Sequence, residues 1–126
     1  MSEAWVVKKF GDKYKSTAPK KPKQPSEGER ILELQLRFAG IPFEREFKFH
    51  ATRKWRADFR ITGHMILVEV EGGVYSNGRH TRGTGYEADA EKYSTAAIEG
   101  WTVLRYTTGQ VQKGLALQGI QKILGV

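Results

Sequence analysis

Cysteine is absent from this 126-residue chain. That excludes a disulfide framework, a thiolate zinc site and a cysteine nucleophile. Long hydrophobic runs are absent too, and none approaches the ~20 residues that cross a bilayer. Histidine is scarce, with three copies scattered at positions 50, 64 and 80, which makes no metal site. The spacing G-x-x-x-x-G-K-[ST] does not occur, so binding of a nucleoside triphosphate has no support. The opening residues Met1-Ser2-Glu3-Ala4-Trp5 lack the basic-then-apolar pattern of a secretory signal. A cytoplasmic protein is the expectation.

What is present is one domain's worth of core and an excess of positive charge. The chain is 39% apolar and 11% aromatic, and 21 Lys and Arg face 14 Asp and Glu, a net of +7. Such an excess points to a polyanionic partner. Its distribution is uneven. Residues 1–25 hold seven lysines, Lys20, Lys21 and Lys23 among them, against two acids, together with three of the four prolines. A Lys/Pro-rich leader with few apolar residues reads as an extended arm, either a solubilising tail or a phosphate-contacting one. Trp5, Val6, Val7 and Phe10 form a short apolar patch able to dock on the domain, which begins at Ser26 and runs to residue 126.

Ser26 and Glu29 form an S-x-x-E capping box before Ile31, Leu32, Leu34, Leu36 and Phe38, a helix ended by Gly40 and Pro42. Residues 43–50 nearly alternate in polarity, the period of a half-buried strand. After a turn, residues 56–61 alternate again, which places Ala57, Phe59 and Ile61 on one face and Arg56, Asp58 and Arg60 on the other. Thr62-Gly63-His64 is a tight connection to a mostly apolar strand at residues 65–71, suited to the centre of a sheet. A 14-residue loop with five glycines follows at 72–85. Tyr86, Ala90, Tyr93 and Ala97 then recur at helical spacing, and Gly100 stops that helix. Residues 102–106 make a strand, and 111–124 a terminal helix weakened by Gly114 and Gly119. The order predicts an α/β fold, with a right-handed parallel crossover in its second half.

Glu69 and Glu71 interrupt the apolar strand near its C-terminal end, where ligands of open parallel sheets bind. Two apart, they point to one face, and Asp58 becomes their cross-strand neighbour if the Gly63 turn makes a hairpin. Three carboxylates on one patch repel unless cations neutralise them. They would bind Mg²⁺ or Mn²⁺ through oxygen alone, or they would form salt bridges with Arg56 and Arg60. Glu29 either reaches the metal or only completes its capping box. Arg53, Lys54 and Arg56 lie just before Asp58, and Arg79, His80 and Arg82 lie in the glycine-rich loop. Acidic ligands flanked by cations suit metal-assisted attack on a phosphodiester, and so long a loop in a compact domain is more often functional than idle.

Glu29, Asp58 within Trp55-Arg56-Ala57-Asp58-Phe59, and Glu69-Val70-Glu71 resemble the PD-(D/E)XK nuclease superfamily. More narrowly, residues 53–106 resemble small phage-type endonucleases. That likeness runs through Arg53-Lys54-Trp55-Arg56-Ala57-Asp58-Phe59, Val68-Glu69-Val70-Glu71-Gly72-Gly73, Gly78-Arg79-His80-Thr81-Arg82-Gly83, Lys92-Tyr93 and Gly100-Trp101-Thr102-Val103-Leu104-Arg105-Tyr106. The resemblance implies a restriction-endonuclease-like core, α-β-β-β-α-β plus a C-terminal helix, with a mixed sheet flanked by helices. It implies Asp58 and Glu69 as metal ligands, helped by the Val70 carbonyl. Glu29 would match the first-helix glutamate of the Holliday-junction-resolvase branch. The superfamily lysine is replaced here by Glu71, which would act as general base or as a second-ion ligand. Lys92 would supply the missing ammonium from the following helix, or else pair within its helix with Asp89.

The reading is a Mg²⁺- or Mn²⁺-dependent endodeoxyribonuclease, acting on branched DNA or as a nickase, in the host cytoplasm if phage-encoded. A resolvase would require a symmetric homodimer. The alternative is a non-catalytic DNA-binding module on a nuclease-like fold. An RNA-binding role is weaker, since the aromatics fall at core-period positions with no stacking set evident.

Overall fold

The structure, a computed structural model, describes residues 24–72 and 83–126. Helix α1 (Glu27–Phe38) begins at the capping box: the Glu29 amide donates to Ser26 Oγ at 3.2 Å, and the Ser26 amide donates to Glu29 Oε2 at 3.4 Å. Gly40, at φ 73°, lets the chain reverse beyond its C-terminus. Strands β1 (Phe43–Lys48), β2 (Arg56–Ile61) and β3 (Ile66–Glu71) follow, then α2 (Gly83–Ile98), β4 (Thr102–Thr107), α3 (Thr108–Gln112) and α4 (Leu115–Leu124).

The sheet is mixed, in the order β1-β2-β3-β4, with two antiparallel pairs and a parallel β3–β4 pair. Helices flank both faces. Leu32 and Leu36 of α1 pack on Phe59, Ile61, Val68 and Val70, joined by Val111 of α3 and Ile120 of α4. On the opposite face Ala96 of α2 packs with Phe49, Ala57 and Leu67, bordered by Phe47, Trp55 and Trp101. No helix among the described residues is long and apolar enough to cross a membrane.

Several expectations need correction. The loop after β3 ends sooner, because α2 already begins at Gly83. Of the α2 residues at helical spacing only Tyr93 turns inward: Tyr86, Ala90 and Ala97 are exposed, whereas Asp89, Lys92, Tyr93 and Ala96 are half-buried or buried. The terminal helix is two helices, broken where Gly114 takes φ 81°. Gly119 has a packing reason, since a Cβ there would collide with the Tyr106 hydroxyl.

Alternation also fails in β1 and β2. Phe43 packs with the α1-side core and Phe47 with the α2 side, although regular pleating would put them on one face. Ala57 likewise leaves the face of Phe59 and Ile61. The break falls at Glu46, which takes φ 49°, a left-handed conformation unusual for a side chain with a Cβ. The β1–β2 register passes from Arg45↔Phe59 to Phe47↔Ala57, leaving Glu46 and Asp58 facing each other without a ladder pair.

Candidate active site

Asp58 sits where the ladders on both sides lapse. Toward β3 the paired residues are Phe59↔Val68 and Arg60↔Leu67, so pairing stops one step before Asp58 and Glu69. Backbone groups that lose ladder partners inside a fold must find others. The Asp58 amide donates to Glu69 Oε1 at 2.8 Å, and the Asp58 carbonyl accepts from Arg45 Nε at 3.1 Å. In return, Asp58 Oδ2 accepts the Val70 amide at 2.8 Å. Charged side chains thus replace sheet hydrogen bonds; two of these bonds fix a carboxylate and the third fixes the Arg45 guanidinium.

Two groups of side chains meet at this point. On the α1 side, one carboxylate oxygen from each of Glu29, Glu46 and Asp58 lies within 4.8 Å of the others. Glu29 is only 3% exposed. Its Oε1 accepts from Arg45 at 2.6 Å, and the same guanidinium donates to Glu33 at 2.6 Å while lying 4.4 Å from the Phe59 ring centre. Glu33 is held below its ordinary carboxylate range chiefly by its hydrogen bond from Arg37, with Arg45 adding to the effect. Glu29 completes its capping box through Oε2 and binds Arg45 through Oε1.

On the α2 side, Glu69 Oε2 accepts from the Tyr93 hydroxyl at 2.5 Å and from Lys92 Nζ at 3.2 Å. Burial, reinforced by the Glu69 charge, pushes the Tyr93 phenol well above its ordinary value, so it stays a neutral donor. Lys92 thus crosses to Glu69. Glu71 accepts from Arg105 Nε at 3.1 Å and from another guanidinium nitrogen at 2.7 Å, a bidentate pair. That pair raises the Arg105 pKa, and the guanidinium also lies 4.3 Å from the Tyr93 ring centre. The alternative pairing of Glu69 and Glu71 with Arg56 and Arg60 does not form: Arg60 binds Glu44 at 3.4 Å and the His64 carbonyl at 3.1 Å.

The structure therefore gathers the carboxylates of Asp58 and Glu29 with that of Glu46, a group that among the described residues does not include Glu69. Glu69 is joined to Asp58 through backbone amides and carries Lys92, while Glu71 pairs with Arg105. Arg53, Lys54 and Arg56 are exposed near the start of β2, where Arg53 binds Glu91 at 3.2 Å and covers the Trp55 ring. Lys20, Lys21, Lys23, Arg79, His80 and Arg82 lie outside the described residues. Sequence reasoning missed Glu46, Arg45, Tyr93 and Arg105. Tyr93 entered through the helical spacing and, like Arg105, within the segments that carry the resemblance, both without a role, and nothing in Phe-Glu-Arg-Glu-Phe-Lys marks Glu46 for a left-handed backbone.

An oxygen-only donor set of several carboxylates fits a hard divalent cation better than zinc or copper.

No protein-family model and no curated protein matches the chain. Among solved structures it is similar to the catalytic domain of the homing endonuclease I-Bth0305I, with a TM-score of 0.58 and 23% identity over 78% of this chain and 93% of that one. The likeness establishes a shared fold.

Proposed function

We propose that this chain is a divalent-cation-dependent endodeoxyribonuclease, in which Asp58 and Glu69 hold Mg²⁺ or Mn²⁺ with help from the Val70 carbonyl. The observation that carries the reading is the reciprocal hydrogen bonding of Asp58 and Glu69 where the β2–β3 ladder opens, beside Lys92. Two further facts support it: the fold is shared with a domain titled as an endonuclease catalytic domain, and the sequence resembles PD-(D/E)XK nucleases. Glu29 and Glu46, gathered on Asp58, add negative charge that favours a bound cation. When bound, the cation polarises the scissile phosphate and lowers the pKa of a coordinated water.

The chain's own groups do the rest. Glu71, steadied by Arg105, takes the proton of the attacking water. A bond forms from that oxygen to phosphorus and one phosphate ester bond breaks, the leaving oxygen acquiring a proton. Lys92 stands in for the lysine displaced by Glu71 and offsets the charge of Glu69. Arg53, Lys54 and Arg56 hold the DNA backbone, joined by Arg79, His80 and Arg82 of the glycine-rich loop. Branched DNA, or intact duplex nicked in one strand, are the substrates to which the resemblance extends, and junction cleavage would need a homodimer presenting two sites.

The test is cleavage of linear duplex, supercoiled plasmid, single strands and a four-way junction, with and without Mg²⁺ or Mn²⁺. Metal-dependent cutting of at least one substrate, lost in Asp58→Asn and Glu69→Gln, is expected. No cutting of any substrate, or equal cutting by the variants, overturns the proposal. Paired cuts in the junction alone identify a resolvase.

A further inference from the structure

Helix α1 leaves part of its surface uncovered. Leu34 is 67% and Phe38 96% exposed. With Gln35, Ala39 and, from α4, Leu117 and Gln121, they line a groove of about 550 Å³. Gln35 adds a second, independent observation. Its Nε2 donates to the Val111 carbonyl at 3.0 Å, which fixes the amide's orientation. Its Oε1 is then a buried acceptor with no hydrogen-bond partner among the described residues, and buried polar atoms are normally satisfied.

The groove therefore suits an occupant with large apolar groups, such as a tryptophan with apolar neighbours. Trp55 and Trp101 are committed to the α2 side of the sheet. Trp5 is the third tryptophan, and it stands beside Val6 and Val7 with Phe10 following. Reach is no obstacle. Ser26 lies sixteen positions after Phe10, a tether that extends to about 50 Å. The 12-residue helix from Ser26 to the groove rises only about 18 Å.

We propose that residues 5–10 of the same chain dock in the α1–α4 groove, with Trp5 and its apolar neighbours covering Leu34, Phe38 and Leu117. The lysines between Phe10 and Ser26 are then held as a loop closed at both ends, returning to the α1 terminus that carries Glu29. This inference is independent of the nuclease reading and can fail without it.

The absence of cysteine makes a site-specific probe simple. A nitroxide on Glu3→Cys in the full chain is expected to broaden the NMR amide signals of residues 34–39 and 117–121 selectively. The broadening should be independent of protein concentration, and it should vanish in Trp5→Ala and in Phe38→Ser. Phe38 is almost wholly exposed, so its replacement spares the fold. Absence of selective broadening overturns the proposal. So does broadening that grows with concentration and appears when spin-labelled chains are mixed with isotope-labelled ones, which would make a second copy the occupant.

Discussion

The Glu69 carboxylate accepts the amide proton of Asp58, and the Asp58 carboxylate accepts the amide proton of Val70, the residue after Glu69, both at 2.8 Å. Each acid is thereby positioned by the backbone of the other's strand, so its geometry is set by the sheet and not by its own rotamer preference. The structural role and the proposed chemical role fall on the same carboxylates, and choice of substitution separates them.

Asp58→Asn keeps an acceptor for the Val70 amide and removes the charge. It is expected to melt near the wild-type temperature, to lose cleavage, and to lose the stabilisation that added Mg²⁺ gives by binding only the folded state. Asp58→Ala, which leaves a buried N–H unpaired, should cost about 1–3 kcal/mol besides. Thermal melts with and without Mg²⁺ check both. A cleavage-competent Asn variant would refute the assignment.

Arg45 donates to Glu29, to Glu33 and to the Asp58 carbonyl. Truncating a partner of a buried charge leaves that charge uncompensated, at about 3–5 kcal/mol. Arg45→Met is therefore expected to be severely destabilised in urea titrations, and Arg45→Met with Glu29→Gln to recover part of the loss. Additive losses would mean the two residues do not act as a pair.

Tyr93 offers a pH signature. Its folded pKa lies above the ordinary tyrosine value of 10.0, raised first by burial and then by the Glu69 charge. Above that ordinary value the unfolded chain releases the phenolic proton while the folded protein keeps it, so the unfolded state binds fewer protons. Stability is then fully present below the ordinary value and falls as pH rises beyond it. Tyr93→Phe removes this linkage. Urea unfolding from neutral to about pH 11 should show the wild type losing more stability than the variant. Parallel curves would contradict the buried neutral donor.

Glu71 separates chemistry from folding in the opposite sense to Arg45. Its pair with Arg105 is over a third exposed on both sides, and exposed pairs contribute about 0–1 kcal/mol. Glu71→Gln should melt close to wild type yet cleave about 10²–10⁴-fold more slowly, the usual contribution of a general base. Near-normal rates in single-turnover assays would remove Glu71 from that role.

The capping box and the Gly63 turn made α1, the antiparallel β2–β3 pair and the positions of Asp58 and Glu69 legible, because local chemistry and tertiary packing agree there. The alternation of β2, by contrast, located the strand but misplaced Ala57. Thr107 and Gln110 form a second capping box that marks the start of α3, a signal of the same kind that the apolar pattern around it obscured. Glu46 was illegible for a different reason. Its left-handed backbone arises from the lapse of two ladders around Asp58, a tertiary event with no local residue signal. The inward face of α2 was misread because it carries Asp89, Lys92 and Tyr93, polar groups that a hydrophobic-period search assigns to solvent. Polar residues on the inward face displaced the pattern that would have located it.

The leader tests whether charge amount or charge placement matters. Seven lysines fall within residues 1–25, whereas the remainder of the chain is nearly balanced. Each lysine that neutralises a DNA phosphate releases counterions, and its removal lowers the slope of log affinity against log salt by about 0.9. Deleting residues 1–24 should therefore weaken DNA binding at low salt and flatten that slope. Mg²⁺-dependent cleavage of saturating DNA should continue, because every carboxylate of the site lies in the retained domain. A solubilising tail would leave the slope unchanged, whatever it did to yield. Loss of cleavage at saturation would instead place part of the catalytic machinery in the arm.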